Sequence, residues 1–234
     1  MTGYFNEAAF GLYPYLCLTV FLLGSLIRFD REQYGWRSGS SQLLRARQLR
    51  WGSNLFHIGI LFLLFGHFVG LLTPHEVYSL LISAAAKQML AIVSGGIAGA
   101  ICFVGLTMLI HRRLSDPRIR ATSSRMDIAI LLLIWLQLVL GMITIAFSLQ
   151  HADGSVMLRL GGWAQRIVTF RGGAADLIAG LPIVYQLHLI LGMTLFLLFP
   201  FSRLVHIWSA PVWYVFRPYQ VVRRRGGASV SRGR

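Results

Sequence analysis

The stretch SNLFHIGILFLLFGHFVG, residues 53–70, decides the fold class. As a helix it would be about 27 Å long, which is close to the thickness of the hydrocarbon core of a bilayer. It contains two histidines, His57 and His67. An imidazole in hydrocarbon costs free energy unless another group binds it. The question for the rest of the sequence is therefore what these two side chains face.

Four further stretches lack Asp, Glu, Lys and Arg and are long enough, at about 20 residues, to span a bilayer. The five candidate spans fall within residues 8–27, 51–75, 88–110, 128–152 and 177–202. The chain is 56% hydrophobic with a mean hydropathy of +0.63, whereas soluble domains are roughly 45–50% apolar. The sequence predicts an all-α integral membrane bundle of five transmembrane helices, with residues 1–222 as one domain and 223–234 as a basic tail.

Basic residues predict the orientation of this bundle. Eighteen arginines lie in segments 28–50, 111–125 and 203–234, whereas the intervening segments hold four basic residues in total. The positive-inside rule then places the N-terminus outside and the C-terminus in the cytoplasm, as in a multi-pass protein of the cell (inner) membrane. The longest external segment, 148–182, is expected to include a short interfacial helix. The net charge of +14 mostly reflects this asymmetry, so nucleic-acid binding is not expected. The arginines of the tail are expected to contact anionic membrane lipid.

The histidines divide into two groups. Three lie at span ends or in loops, where water can satisfy them, namely His75, His111 and His151. The other four lie within two spans, namely His57 and His67 in the second and His188 and His206 in the fifth. Because these spans run in opposite directions, His57 should lie level with His206 near the cytoplasmic face, and His67 level with His188 near the outer face.

Two cross-helix imidazole pairs are the arrangement that two haems need, each with two axial histidines. Binding to haem iron removes the cost of burying a neutral imidazole, and its other ring N–H can bond a carbonyl. A single membrane histidine is more simply a helix–helix hydrogen bond. A transporter that binds a divalent metal or relays protons is an alternative, but transporter sites converge near the midplane. A purely structural anchor leaves four buried imidazoles unexplained.

The spacing fits this pairing imperfectly. His57 and His67 are about 15 Å apart along a helix, and His188 and His206 about 27 Å. In a continuous fifth helix, from about 183 to 207, the latter pair shares one face. Helix tilt, the size of the porphyrins and a kink at Pro200 are expected to absorb the difference.

Small residues near the histidines have two interpretations. They could let a macrocycle lie against the helix backbone, or they could serve ordinary helix packing; they are Gly59, Gly66, Gly70 and Gly192. In the third span, Gly95 and Gly99 form a small-xxx-small pair that is expected to permit close helix packing.

Several motifs together resemble a known family. They are YGWRSGSSQLL, SNLFHIGILFLLFGHFVGLLTPH, DPRIRATSS, GWAQRIVTFRGGA and LHLILGMTLFLLFPFSRLVHIWSAP. Over residues 8–222 the chain resembles the gamma subunit of membrane-bound respiratory nitrate reductase, a di-haem cytochrome b. The resemblance implies an outer, distal haem on His67 and His188, and an inner, proximal haem on His57 and His206.

The resemblance also implies a quinol site beside the outer haem, formed by Lys87, Gly66 and His67. From the residues alone, Lys87 would be interpreted as a lysine that snorkels to the membrane interface. The family's substrate is a quinol, either menaquinol or ubiquinol.

The implied function is quinol oxidation near the outer face, with protons released outside. Electrons would pass through the two haems b to an iron–sulfur subunit, and a molybdenum-containing catalytic subunit would reduce nitrate. Both partner subunits are expected on the cytoplasmic face. The alternative within this class is a di-haem subunit of another quinone-linked oxidoreductase, of the sulfur or heterodisulfide type.

Overall fold

The computed structural model describes residues 2–32, 44–150, 153–209 and 216–218. Every regular element in these ranges is helical, and the described residues contain no strand. The all-α fold class is therefore confirmed. The predictions for His151 and for the basic tail, and most of the motif YGWRSGSSQLL, lie outside the described residues.

Five helices are long and apolar enough to cross a membrane within the described part of the chain. The first runs through α1 (Thr2–Glu7), a π-helical turn (Ala8–Leu12) and α2 (Tyr13–Arg31); the others are α3 (Ala46–Leu72), α5 (Ala84–Ser115), α7 (Arg125–Leu149) and α10 (Ile183–Leu198). The shorter helices are α4 (His75–Tyr78), α6 (Pro117–Ala121), α8 (Ser155–Val168) and α9 (Ala174–Ile178). The five predicted spans are confirmed, and the direction in which they cross stays a prediction.

The surface of the bundle suits hydrocarbon rather than water. On α3, the side chains of Phe62, Phe65 and Phe68 are 50%, 69% and 63% exposed. Soluble proteins rarely expose apolar patches of this extent. Lipid chains are the solvent that such a face requires.

Glycines bring α3 and α5 into backbone contact. A Cβ on Gly59 of α3 would come within 2.6 Å of Cβ of Cys102, and a Cβ on Gly105 of α5 would come within 2.3 Å of the backbone nitrogen of Phe56. No real side chain tolerates such approaches, so the two helices pack this closely only because both positions are glycine.

The predicted pair in the third span does not make this contact. A Cβ on Gly99 would meet the side chain of Met142 of α7 at 3.5 Å, which is ordinary van der Waals contact, and a Cβ on Gly95 would meet nothing within 4 Å. The close approach lies at Gly105 instead, because there α3 presents the backbone of Gly52 and Phe56.

A proline near the start of the first span is accommodated by a π-helical turn. Pro14 has no N–H to donate to the carbonyl of Phe10, its i−4 partner. That carbonyl instead accepts a 2.9 Å hydrogen bond from the indole Nε1 of Trp163 in α8. The helix therefore continues past Pro14 with its orphaned carbonyl satisfied by another element.

The fifth span ends earlier than the sequence indicated. After α10 the chain forms a 3₁₀ turn (Phe199–Phe201), becomes extended at Ser202, and forms a second 3₁₀ helix (Arg203–Ser209). Pro200 causes the break, since it lacks an N–H and its ring would clash with the preceding turn of an α-helix.

The break corrects the expectation of one continuous helix to about residue 207. His188 lies in α10, whereas His206 lies in the second 3₁₀ helix, so the two do not share one helix face. The kink expected at Pro200 is present as a full interruption.

Two short helices cover the end of the bundle where α3 finishes and α10 begins. The short helix expected in segment 148–182 is present as α8, and α9 lies against it. Trp163 of α8 and Ile178 of α9 are almost fully buried in the larger apolar cluster of the described residues. Arg159 ties the two helices together by donating to the carbonyls of Leu177 and Ala179.

The contact between α3 and α5 predicts the effect of one added methyl group. Gly105→Ala should lower the stability of the subunit by about 1–3 kcal/mol, the usual cost of overpacking. Gly96→Ala is the matched control on the same helix, because its Cβ would lie 3.8 Å from Ile145, at ordinary contact distance. Thermal unfolding in detergent measures the difference, and equal midpoints for the two variants would contradict the proposed contact.

Candidate functional site

His67 of α3 and His188 of α10 face each other across the bundle. Their ring centroids are 6.2 Å apart, and the ring planes are inclined by 38°. Two imidazoles on opposite sides of one metal atom have centres roughly 6 Å apart, since a metal–nitrogen bond is about 2 Å and the ring centre lies about 1 Å further. This pair therefore has the spacing that a shared metal atom requires.

Three of the four span histidines have the same hydrogen bond. In each, Nδ1 donates to a backbone carbonyl: His57 to Ser53 at 2.7 Å, His67 to Leu63 at 2.7 Å, and His206 to Arg203 at 2.6 Å. Because a carbonyl only accepts, Nδ1 carries the proton and Nε2 keeps its lone pair. That tautomer is the one that presents Nε2 to a metal.

His188 has a different environment. Its Nδ1 is buried and makes no hydrogen bond to any described residue. Gln137 of α7 donates from Nε2 to the carbonyl of His188 at 3.1 Å, and the same nitrogen lies 3.4 Å from Nε2 of the imidazole. The amide oxygen of Gln137 is likewise buried without a partner in the described part of the chain. Two orphaned polar groups at one place indicate a site that a further group completes.

A glycine of α7 makes room for the His188 ring. A Cβ on Gly141 would lie 2.9 Å from Cε1 of His188, closer than a real contact allows. Gly141 therefore lets the imidazole pack against the backbone of α7.

The structure does not bring His57 and His206 into contact. No ring contact joins them in the described ranges; His57 is exposed on α3, and His206 is partly exposed in the 3₁₀ helix. Both histidines lie toward the end of the bundle where α2 finishes and α3 begins. Their pairing stays a prediction.

The glycines near the histidines fall into two groups. Gly59 packs against α5, and a Cβ on Gly192 would meet Nε2 of Gln137 at 3.1 Å, so these two serve packing between helices. A Cβ on Gly66 or Gly70 would meet nothing within 4 Å. Only Gly66 and Gly70 leave open space beside His67, where a flat macrocycle could lie on the helix.

Lys87, the only lysine in the sequence, lies near the start of α5. Its Nζ is 3.6 Å from the centre of the Tyr78 ring, at cation–π distance. Burial raises the pKa of the Tyr78 phenol above its ordinary value, and the Glu76 carboxylate adds to the rise. The phenol therefore stays protonated at neutral pH and can donate a hydrogen bond.

A cavity of about 120 Å³ surrounds this lysine. Its lining residues include Gly70 of α3, Thr73 directly after α3, Tyr78, Lys87 and Gln165 of α8. Gly66 and His67, which the sequence grouped with Lys87, lie four and three residues before Gly70 on α3 and do not line the cavity. The structure thus brings Lys87 to the same end of α3 as His67, but not into one pocket with it.

Two of the three remaining histidines, His75 and His111, lie within the described residues and contact other side chains. His111, at the end of the third span, accepts a 3.1 Å hydrogen bond from Gln48. His75 packs edge-on against the Tyr78 ring. Within the described ranges, no group of three or more His, Cys, Asp or Glu side chains could hold a metal ion.

The residues present fit a haem between α3 and α10. The imidazole spacing, the Nδ1 bond of His67, the orphaned atoms beside His188 and the open space at Gly66 and Gly70 agree with a metal-centred macrocycle. His57 and His206 also fit a haem in their chemistry, because in each Nδ1 donates to a backbone carbonyl and leaves Nε2 free to bind iron.

Comparison with known proteins identifies the family. Residues 6–225 match the family model described as nitrate reductase gamma subunit. The chain belongs to the nitrate reductase gamma subunit family. This confirms the family that the sequence motifs indicated.

Individual relatives match along nearly their whole length. The chain is 53% identical to the respiratory nitrate reductase 2 gamma chain of Escherichia coli (strain K12), over 96% of this chain and 100% of the relative. It is 52% identical to the respiratory nitrate reductase 1 gamma chain of the same strain, over 95% and 99%. The nitrate reductase gamma chain of Bacillus subtilis (strain 168) is 39% identical, over 94% and 99%.

The sequence analysis missed two residues of the site. Gln137 interrupts the apolar run LLLIWLQLVLGM, and a lone amide in a membrane helix is a signal of a polar partner. Gly141 follows it by four residues, on the same face of α7. Neither signal names His188 as the partner, because that requires the packing of α7 against α10.

The contact at Gly141 predicts a loss of order at His188. In Gly141→Ala the added methyl group would displace the imidazole, so we expect less haem per polypeptide and a broadened difference spectrum. Gly96→Ala provides the control, since its Cβ meets only an ordinary contact. Spectra of purified protein, normalised to polypeptide, make the comparison, and wild-type haem content in Gly141→Ala would contradict the inferred packing.

Proposed function

We propose that this chain is the quinol-oxidising cytochrome b subunit of a membrane-bound nitrate reductase complex. The observation that carries the proposal is the pair His67 and His188, which face each other at 6.2 Å from two different membrane helices. Family membership supports the assignment to nitrate reductase.

Two b-type haems are proposed, one toward each face of the membrane. His67 and His188 would hold the outer, distal haem, and His57 and His206 the inner, proximal haem. Haem iron with two imidazole ligands changes charge by one electron and has no open position, so its chemistry is electron transfer. The carbonyls of Ser53, Leu63 and Arg203 orient three of these ligands through their Nδ1–H groups.

The proposed quinol site lies beside the outer pair. Lys87 would donate a hydrogen bond to a quinol oxygen and stabilise the negative charge that develops as the hydroxyl loses its proton. The Tyr78 ring stabilises the ammonium group of Lys87 by a cation–π contact. Gly66, adjacent to His67 in α3, leaves open space on the helix surface.

The proposed direction of electron transfer is inward. With the arginine-rich end in the cytoplasm, protons leave quinol on the outer side and electrons reach an iron–sulfur subunit inside, which supplies a molybdenum-containing catalytic subunit. Moving an electron inward against a negative-inside potential costs about 2.3 kcal/mol per 100 mV. The free energy released by the redox reaction must exceed this cost, so turnover would store energy as a potential across the inner membrane.

The ligand pairs predict which haem each histidine holds. His67→Leu and His188→Leu should lose the same haem, and His57→Leu and His206→Leu should lose the other, because leucine cannot ligate iron. His111→Leu is the matched control and should keep both haems. Redox titration of the difference spectrum resolves the two species. Loss of different haems in the first two variants would contradict the outer pair.

The proposed role of Lys87 predicts that its replacement lowers turnover without affecting haem binding. Lys87→Met should keep both haems and lower quinol-dependent nitrate reduction at least tenfold, since the donor to the quinol oxygen is lost. Arg171→Met removes one positive charge from an exposed residue of the same predicted face and provides the control. Unaltered kcat and KM in Lys87→Met would remove this lysine from the site.

A further inference from the structure

His206, the proposed ligand of the inner haem, lies in a different kind of helix from His57 and His67. His57 and His67 donate to i−4 carbonyls within the long α-helix α3, so the helix itself orients them. His206 donates to the carbonyl of Arg203, its i−3 neighbour, in a seven-residue 3₁₀ helix that follows the break at Pro200. A 3₁₀ helix has poorer hydrogen-bond geometry and is stable only in short pieces. This segment therefore needs to be held from outside.

One anchor is an ion pair between Arg203 and α7. Nε of Arg203 donates to Oδ1 of Asp127 at 2.6 Å, and the two side chains are only 24% and 13% exposed. The guanidinium of this residue is thus tied to α7, while its carbonyl accepts the proton of His206. Arg203 therefore links Asp127, through its side chain, to His206, through its backbone carbonyl.

Asp127 is itself rigidly placed. It occupies the third position of α7, where its carboxylate accepts a 3.0 Å bond from the backbone of Ser124, and its own N–H donates to the Ser124 hydroxyl at 3.1 Å. This reciprocal capping box leaves the carboxylate little freedom. Arg113 of α5 lies 3.9 Å from Oδ2, the oxygen that accepts from Ser124.

A second anchor comes from α2 and holds the chain at the break around Pro200. Arg28, near the end of α2, donates to the carbonyls of Pro200 at 2.7 Å and of Ser202 at 2.9 Å. Gly24, one turn earlier, makes room for the Pro200 ring, since a Cβ there would lie 2.8 Å from its Cγ. The start of the segment is thus held by charged side chains from two neighbouring helices, Arg28 of α2 and Asp127 of α7.

We propose that Asp127, acting through Arg203, is a positioning residue that sets the orientation of the His206 imidazole toward the inner haem. The inference rests on the proposed function, because it takes His206 as a haem ligand. A ligand's hydrogen-bond partner tunes both its orientation and its basicity. Asp127 would therefore influence the inner haem alone.

The test compares Asp127→Asn with a matched variant in the whole complex. Asp116→Asn is the control, because Asp116 likewise accepts backbone hydrogen bonds at the start of a helix, pairs with an arginine (Arg45, at 3.3 Å) and is 16% exposed. The readouts are the low-spin ferric EPR signals, which depend on how the two imidazole planes are oriented, and the redox titration of each haem.

In Asp127→Asn we expect a shifted EPR signal and a more positive midpoint potential for the inner haem, with the outer haem unchanged. The potential should rise because a nearby negative charge is lost and the His206 bond is loosened. Asp116→Asn should leave both EPR signals at the wild-type position. A wild-type inner-haem signal in Asp127→Asn, or an equal change in both haems, would overturn the proposal.

A double-mutant cycle tests whether Asp127 acts through Arg203. If it does, Asp127→Asn should cause no further EPR shift in an Arg203→Gln background, whereas independent effects would add. Arg203→Lys keeps the charge but loses the planar donor, and should shift the inner-haem signal even if Asp127→Asn does not assemble. A wild-type signal in Arg203→Lys would overturn the proposal.

The wild-type complex and His206→Leu separate this inference from the proposed function. If the wild type lacks two bis-imidazole signals, or if His206→Leu retains both, the proposed function fails. If both behave as expected and Asp127→Asn leaves the inner haem unchanged, only the positioning role of Asp127 fails.

Discussion

A polar group inside a bilayer has no water with which to form hydrogen bonds. Every such group in this protein therefore requires a partner from the protein or from a bound group. The four imidazoles of α3, α10 and the second 3₁₀ helix are the most demanding case. Three of them satisfy Nδ1 with a backbone carbonyl and so present Nε2 to whatever they face. In the proposed function these nitrogens would bind two haems.

The same constraint explains how two prolines are tolerated. Pro14 leaves the Phe10 carbonyl without its helical donor, and the Trp163 indole of α8 replaces it. Pro200 ends α10, and Arg28 of α2 donates to two carbonyls of the interrupted segment. In both cases a donor from another element satisfies the backbone group that would otherwise be orphaned. The helix therefore continues past Pro14, whereas α10 ends at Pro200, and the carbonyls named here are satisfied in both cases.

Close packing of α3 on α5 has a different purpose from the histidine pair. Gly59 and Gly105 allow backbone contact on one side of α3. Toward α10, the His67 and His188 rings lie 6.2 Å apart, a spacing that would suit a shared metal atom. In the proposed function, one face of α3 would therefore contact a helix and another would contact a ligand.

Topology alone predicted that His67 and His188 lie at one level, because two antiparallel spans with histidines near the same membrane face must bring them together. The open space beside Gly66 could not be separated from the packing role of Gly59, since both are glycines in one apolar run and only the position of α5 distinguishes them. The roles of Gln137 and Gly141 depended on which face of α7 meets α10, and that is a tertiary fact.

By itself the sequence determined the five membrane helices, the charge asymmetry, the family and the four histidines, because hydropathy, charge and motif are local properties of the chain. Only the tertiary structure decided that the fifth helix stops before His206 and that Lys87 rests on Tyr78 in a cavity apart from Gly66. It also decided that an aspartate of α7 supports the segment that carries His206. These facts depend on which side chains of distant segments meet, and spacing along one segment carries no information about its neighbours.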